Sequence, residues 1–187
     1  MTEHKPLGYA VELYFDRETE HRILAFRDSI YQLGLNPVLG KMGDRPHISL
    51  AVFTEVDKQQ LITITSDFAK TQRGFNVQLD AVGMFATPSN VVYLAPTPTV
   101  QLLEIHQAFH HLLCKEKINS SHYYFIEKWM PHCTIEFELP DDQFDLAVSL
   151  CKKHFTTIRG QFVSLGLIAF RPIEYIAEFP LSLQEEK

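Results

Sequence analysis

The sequence predicts an α+β domain made of two pseudo-symmetric halves, and three observations carry that prediction. Strand-like and helix-like stretches run twice through the same order: strand, helix, strand, helix, strand. The segments Pro46-His47-Ile48-Ser49-Leu50 and Pro131-His132-Cys133-Thr134-Ile135 share one pattern, Pro-His-apolar-hydroxyl-apolar, and each falls on the third element of its half. No Gly/Ser-rich or low-complexity linker parts the halves. Residues 1–187 are therefore expected to form one compact two-lobed unit, with pseudo-repeats at roughly 8–86 and 90–179.

The first half opens with a strand over Tyr9 to Phe15. Asp16 then caps a helix in which Ile23, Phe26, Ile30 and Leu33 recur at three- and four-residue spacing, and Gly34 ends it. A turn-rich loop holding Pro37, Gly40 and Gly43 leads into the strand that carries His47. Asp57, with Gln60 three residues on, resembles a capping box and opens a helix with Leu61, Ile64 and Phe68 on one side. A strand near Phe75 to Phe85 closes the half.

The second half begins with a strand at Val91 to Ala95. Thr97 and Pro98 then supply an N-cap and a first helical position for a helix carrying Leu102, Ile105, Phe109 and Leu112. A long loop with Tyr123, Tyr124, Phe125 and Trp129 runs into the strand that bears His132. After it come a helix with Phe144, Val148, Cys151 and Phe155 and strands near Phe162 to Phe170 and Tyr175 to Phe179.

Composition narrows the function classes. At 187 residues, 45% hydrophobic and 21% charged, the chain has ordinary globular usage. Its net charge of −6 opposes binding to long duplex nucleic acid, which rests on many Lys and Arg contacts to phosphates, but leaves room for a small anion in a locally basic cleft. Cys114, Cys133 and Cys151 form neither a CxxC pair nor an even framework, which favours a reducing compartment, and a cytoplasmic monomer is expected. The amino-terminal stretch lacks the apolar region and cleavage site of a signal peptide. No apolar run approaches the ~20 residues of a membrane span, so no membrane partner is expected.

The duplicated motif carries the chemistry. In a strand, residues two apart share a face, so His47 and Ser49 point one way while Ile48 and Leu50 point the other. The same alternation sets His132 and Thr134 against Cys133 and Ile135. Two halves packed about a pseudo-twofold would bring both histidines to one central cleft. Imidazole exchanges protons near neutral pH. One ring can take a proton from water or a hydroxyl while the other gives one to the departing oxygen, with no metal or other cofactor required. The hydroxyls of Ser49 and Thr134 can donate to non-bridging phosphate oxygens.

The paired His-x-Ser and His-x-Thr, each followed by an apolar residue, resemble the 2H (two-histidine) phosphoesterase superfamily in its 2′-5′ RNA ligase-like and cyclic phosphodiesterase branch. The resemblance covers nearly the whole chain and extends weakly to Glu174–Leu181, which is similar to the closing strand of RNA ligase-like members. It implies a bilobal α+β fold with antiparallel sheets, flanking helices and a cleft between lobes. It also implies metal-independent opening of a 2′,3′-cyclic or 2′-5′ phosphodiester, with His47 and His132 catalytic. Many RNA ligase-like members read His-apolar-Thr-Leu-Ala-Arg at the second motif, whereas here Phe137 stands in the arginine's place. With the acidic charge, this departure points to a nucleotide or short RNA end rather than long RNA or ligation.

Other residues offer further readings. Arg45, Lys41, Lys128 and Arg171 are candidates for countering phosphate charge. Tyr124 and Trp129 are candidates for stacking on a base, with core packing or bracing of the loop as the rival role. His106 and His110 have the spacing of helical metal ligands but lack a third ligand, and His106, His110 and His111 read as a solvated helix face. Cys133 faces away from the histidine and reads as core. A non-catalytic nucleotide-binding (AMP-like) sensing or scaffold module using the same cleft is the alternative function.

Overall fold

Strand β1 (Gly8–Phe15) gives the sheet its two faces. Val11, Leu13 and Phe15 enter the helix-covered hydrophobic core, while Ala10 and Glu12, in the alternate positions, line a cleft on the other side. The computed structural model describes residues 6–85 and 87–182. In it β1 is followed by β2 (His47–Phe53), β3 (Phe75–Phe85), β4 (Val91–Pro96), β5 (Cys133–Glu136), β6 (Ile158–Phe170) and β7 (Glu174–Pro180). Helices α1 (Arg17–Gln32), α2 (Lys58–Thr71), α3 (Val100–Lys115) and α4 (Asp141–His154) fill the connections.

Capping residues fix most helix starts where the sequence places them. The carboxylate of Asp16 accepts from the Thr19 amide at 3.0 Å and that of Asp57 from the Gln60 amide at 2.6 Å. Gly34 ends α1 with φ at 107°, a backbone conformation that a Cβ disfavours. In α3 the cap is Thr99, whose hydroxyl accepts from the Leu102 amide at 3.3 Å, and not Thr97. The Thr97 hydroxyl is engaged instead by Asp80, so Pro98 precedes the cap.

All seven strands join one antiparallel sheet in the order β2-β1-β6-β3-β4-β5, with β7 also on β6. The α+β antiparallel architecture agrees with the sequence reading, but the strands are shared between halves. β3, from the first half, pairs with β4 and β6 of the second. β6 and β7, from the second half, complete the sheet of β1 and β2. Long strand β6 makes this exchange possible. It pairs through Phe162–Phe170 with β1 on one edge, and on the other with β3 through Ile158–Phe162 and with β7 through Ser164–Ala169. The end strands β2 and β5 meet in space, so the sheet curls until its two ends face each other.

The outer edge of β2 is closed by side chains. Val11 pairs with Ala51 and Glu12 with Ser49, leaving Leu50 as the extra residue of a bulge. The Leu50 carbonyl lies 3.0 Å from Nε2 of His110, and the Ser49 carbonyl accepts from the Trp129 indole at 3.0 Å. Among the described residues, no helix is long and apolar enough to cross a membrane.

Candidate active site

The curled sheet encloses a cleft of about 390 Å³ whose walls include Glu12, His47, Ser49, Tyr124, His132 and Thr134. His47 and Ser49 come from β2. Thr134 comes from β5, and His132 immediately precedes that strand. Ile48, Leu50, Cys133 and Ile135 sit in the core behind them. Burial pushes the Cys133 thiol up to about 12, so it has no nucleophilic character.

Both imidazoles are held the same way. Nδ1 of His47 lies 2.7 Å from the Arg45 carbonyl, and Nδ1 of His132 lies 2.6 Å from the Met130 carbonyl, in each case two residues upstream. A carbonyl only accepts, so both Nδ1 atoms carry hydrogen and each Nε2 is left to exchange protons. A buried guanidinium ties the two motifs together. Arg27, 2% exposed on the Ile23–Ile30 stripe of α1, donates to the Thr134 carbonyl at 3.0 Å and pairs with Asp44 at 3.4 Å. Glu136 holds the neighbouring loop by accepting from the amides of Val38 and Leu39 and from the Tyr31 hydroxyl.

Electrostatically the two rings differ. Burial works against the charged form of His47, but the Glu12 and Asp44 carboxylates overcome it and the net shift is upward. For His132 burial dominates, the charge of His47 adds to it, and the bond to Met130 only partly compensates, so its shift is downward. His132 instead packs on aromatic rings, with centroids 4.9 Å from Phe85 and 5.3 Å from Tyr93.

The remaining sequence candidates divide. Tyr124, Phe137 and Arg171 line the cleft, and the Arg171 guanidinium lies 5.5 Å from the Phe137 ring centre while bonded to Glu138. Arg45 does not line it. Its guanidinium is held at 2.8 Å by both Glu20 and Glu178 and lies over the Tyr14 ring in a neighbouring cavity of about 700 Å³. Exposed Lys41 and Lys128 lie outside the cleft as well.

Trp129 is also outside, and it braces the loop. It stacks on His106 at 3.8 Å besides bonding to Ser49. The solvated helix face expected of the α3 histidines is corrected for His106 and His110. Both are buried and bonded to backbone carbonyls, of Tyr124 and Leu50, because the edge of β2 and its loop need donors there. Among the described residues, no group of three or more His, Cys, Asp or Glu side chains is arranged to hold a metal ion.

Sequence reasoning missed Glu12, Asp44 and Arg27. Arg27 left a signal, an arginine on an otherwise apolar helical stripe. Glu12 left one too, a lone carboxylate inside an apolar strand.

Comparison with known proteins agrees with this architecture. A protein of Oceanobacillus iheyensis named "Putative phosphoesterase OB1230" is 28% identical over 102 residues, which span 53% of this chain and 56% of that protein. The chain thus matches little more than half of this relative's length. The structure of Escherichia coli LigT complexed with 3′-AMP superposes with a TM-score of 0.63 at 18% identity, covering 95% of this chain and 99% of that one. TT0787 of Thermus thermophilus superposes with a TM-score of 0.65 at 12% identity, covering 95% and 100%. These two share the fold. Residues 41–171, which include both histidine motifs, match the family described as the 2′-5′ RNA ligase superfamily, and the chain belongs to that superfamily.

Proposed function

We propose that this protein is a metal-independent phosphoesterase that opens a 2′,3′-cyclic or 2′-5′ phosphodiester of a nucleotide or RNA end by two-histidine acid-base catalysis. One observation carries the reading: two imidazoles in one cleft, each fixed through Nδ1 by a backbone carbonyl, each with a hydroxyl two residues on. One Nε2 takes a proton from the attacking water and the other protonates the departing ribose oxygen. Ser49 and Thr134 donate to the non-bridging oxygens as charge grows on them. Membership of the superfamily supports phosphoester chemistry. The E. coli LigT structures with 3′-AMP, ATP and NADP+ support a nucleotide as ligand.

The 2′,3′-cyclic nucleotides are the substrates to test first, assayed in EDTA. Turnover should persist with chelator and vanish in a His47→Ala/His132→Ala double variant. Turnover unchanged in that variant would refute the site. Tight binding of AMP with no product from any cyclic nucleotide or 2′-5′ dinucleotide would make the protein a nucleotide-binding module instead.

A further inference from the structure

The pseudo-symmetry of the two imidazoles breaks at Nε2. That of His47 lies 3.2 Å from Oε1 of Glu12, whereas among the described residues no carboxylate pairs with His132. With Nε2 protonated, His47 forms an ion pair with the Glu12 carboxylate, and the carboxylate favours that protonated form. Glu12 is firmly placed for this. It is 2% exposed, and its Oε2 accepts from the Tyr14 hydroxyl at 2.9 Å. Gly166, opposite Glu12 in the ladder, leaves room for the Tyr14 ring, since a Cβ there would come 2.1 Å from that ring.

Resting on the phosphoesterase reading above, we propose that Glu12 is a positioning residue that keeps a proton on Nε2 of His47, making His47 the acid and His132 the base. The water oxygen bonds to phosphorus while Nε2 of His132 takes one of its protons. The bond from phosphorus to the ribose oxygen breaks, its electron pair stays on that oxygen, and the Nε2 proton of His47 neutralises it. Solvent then returns a proton from His132 to His47.

The surroundings of the pair agree. Burial pushes the Glu12 carboxyl up to about 7, against the pull of the His47 charge. Asp44, ahead of β2, adds to the hold on the His47 proton, while Arg27 of α1 opposes it. Arg45 lowers Glu12, and Tyr14 on β1, Tyr175 on β7 and Tyr124 in the loop before β5 are the remaining titratable neighbours. His132 feels the resulting charge on His47 across the cleft.

The test is the NMR titration of the His47 ring in the wild type and in Glu12→Gln, alongside the pH dependence of kcat/KM for 2′,3′-cyclic AMP in EDTA. Glutamine keeps the shape and the acceptor for Tyr14. The His47 midpoint should fall by about one pH unit, and the alkaline limb should follow, so that kcat/KM drops about tenfold near pH 8 and less than about twofold on the acid side. Glu12→Asp, which keeps the charge, should hold the limb nearer the wild type, a recovery that a merely structural role would not give. A His47 midpoint or an alkaline limb unmoved in Glu12→Gln, with the wild type active, overturns the proposal and leaves the phosphoesterase reading standing. A wild type that hydrolyses none of these substrates sinks that reading, and the acid role with it, whatever the His47 titration shows.

Discussion

The indole of Trp129 lies parallel to the imidazole of His106, with ring centroids 3.8 Å apart. Burial and the nearby His110 hold the His106 ring down to about 3, so it stays neutral in the folded chain. In the unfolded chain the same ring takes up a proton below about 6.5. The unfolded state therefore binds more protons in that window, and stability falls as pH drops from about 6.5 towards about 3. Thermal unfolding measured across this range should show the loss, and His106→Phe, which keeps the stack without a titrating ring, should flatten it. An equal slope in the variant would remove His106 as the cause.

The rate should depend on pH through a broad bell. An acidic role for His47 is lost as pH rises through its raised value, and a basic role for His132 is lost as pH falls through its lowered one. Because the two shifts move apart, the plateau of kcat/KM should be wider than two ordinary imidazoles give. A narrow peak centred near 6.5 would contradict the asymmetry.

Single substitutions of either histidine by alanine should lower kcat by on the order of 10² to 10⁴. Thr134→Val, which keeps the strand shape but removes the donor, should lower kcat by on the order of 10² with little change in KM. A Thr134→Val enzyme with wild-type kcat would relieve the hydroxyl of any part in the transition state.

Arg27→Met should leave the Asp44 carboxylate and the Thr134 carbonyl without their buried partner. A loss of about 3 to 5 kcal/mol is expected, read as a lower denaturation midpoint in urea. A variant as stable as the wild type would mean that Arg27 serves neither wall of the cleft.

Local chemistry was readable in the sequence and distant pairing was not. The caps at Asp16 and Asp57 and the alternation of His47 with Ile48 depend only on neighbours in the chain, and the structure repeats them. The role of His110 depends on a bulge at Leu50, an irregularity of strand pairing that no spacing in α3 records. Arg45 stands two residues before His47, yet Glu20 and Glu178 claim its charge from elements far along the chain. Glu12 gains meaning only once β1 lies against β2.

The strands that the halves lend each other have a consequence for how the protein comes into being. Strand β1 lacks one of its neighbours until β6 has been synthesised, and β3 waits for the same strand. Neither half, expressed as a separate fragment, can close a wall of the cleft with its own strands. The two walls are joined in the sheet only through Ile158–Phe170, the strand that pairs with both β1 and β3, so the cleft rests on contacts distant in sequence, the kind that form slowly in folding.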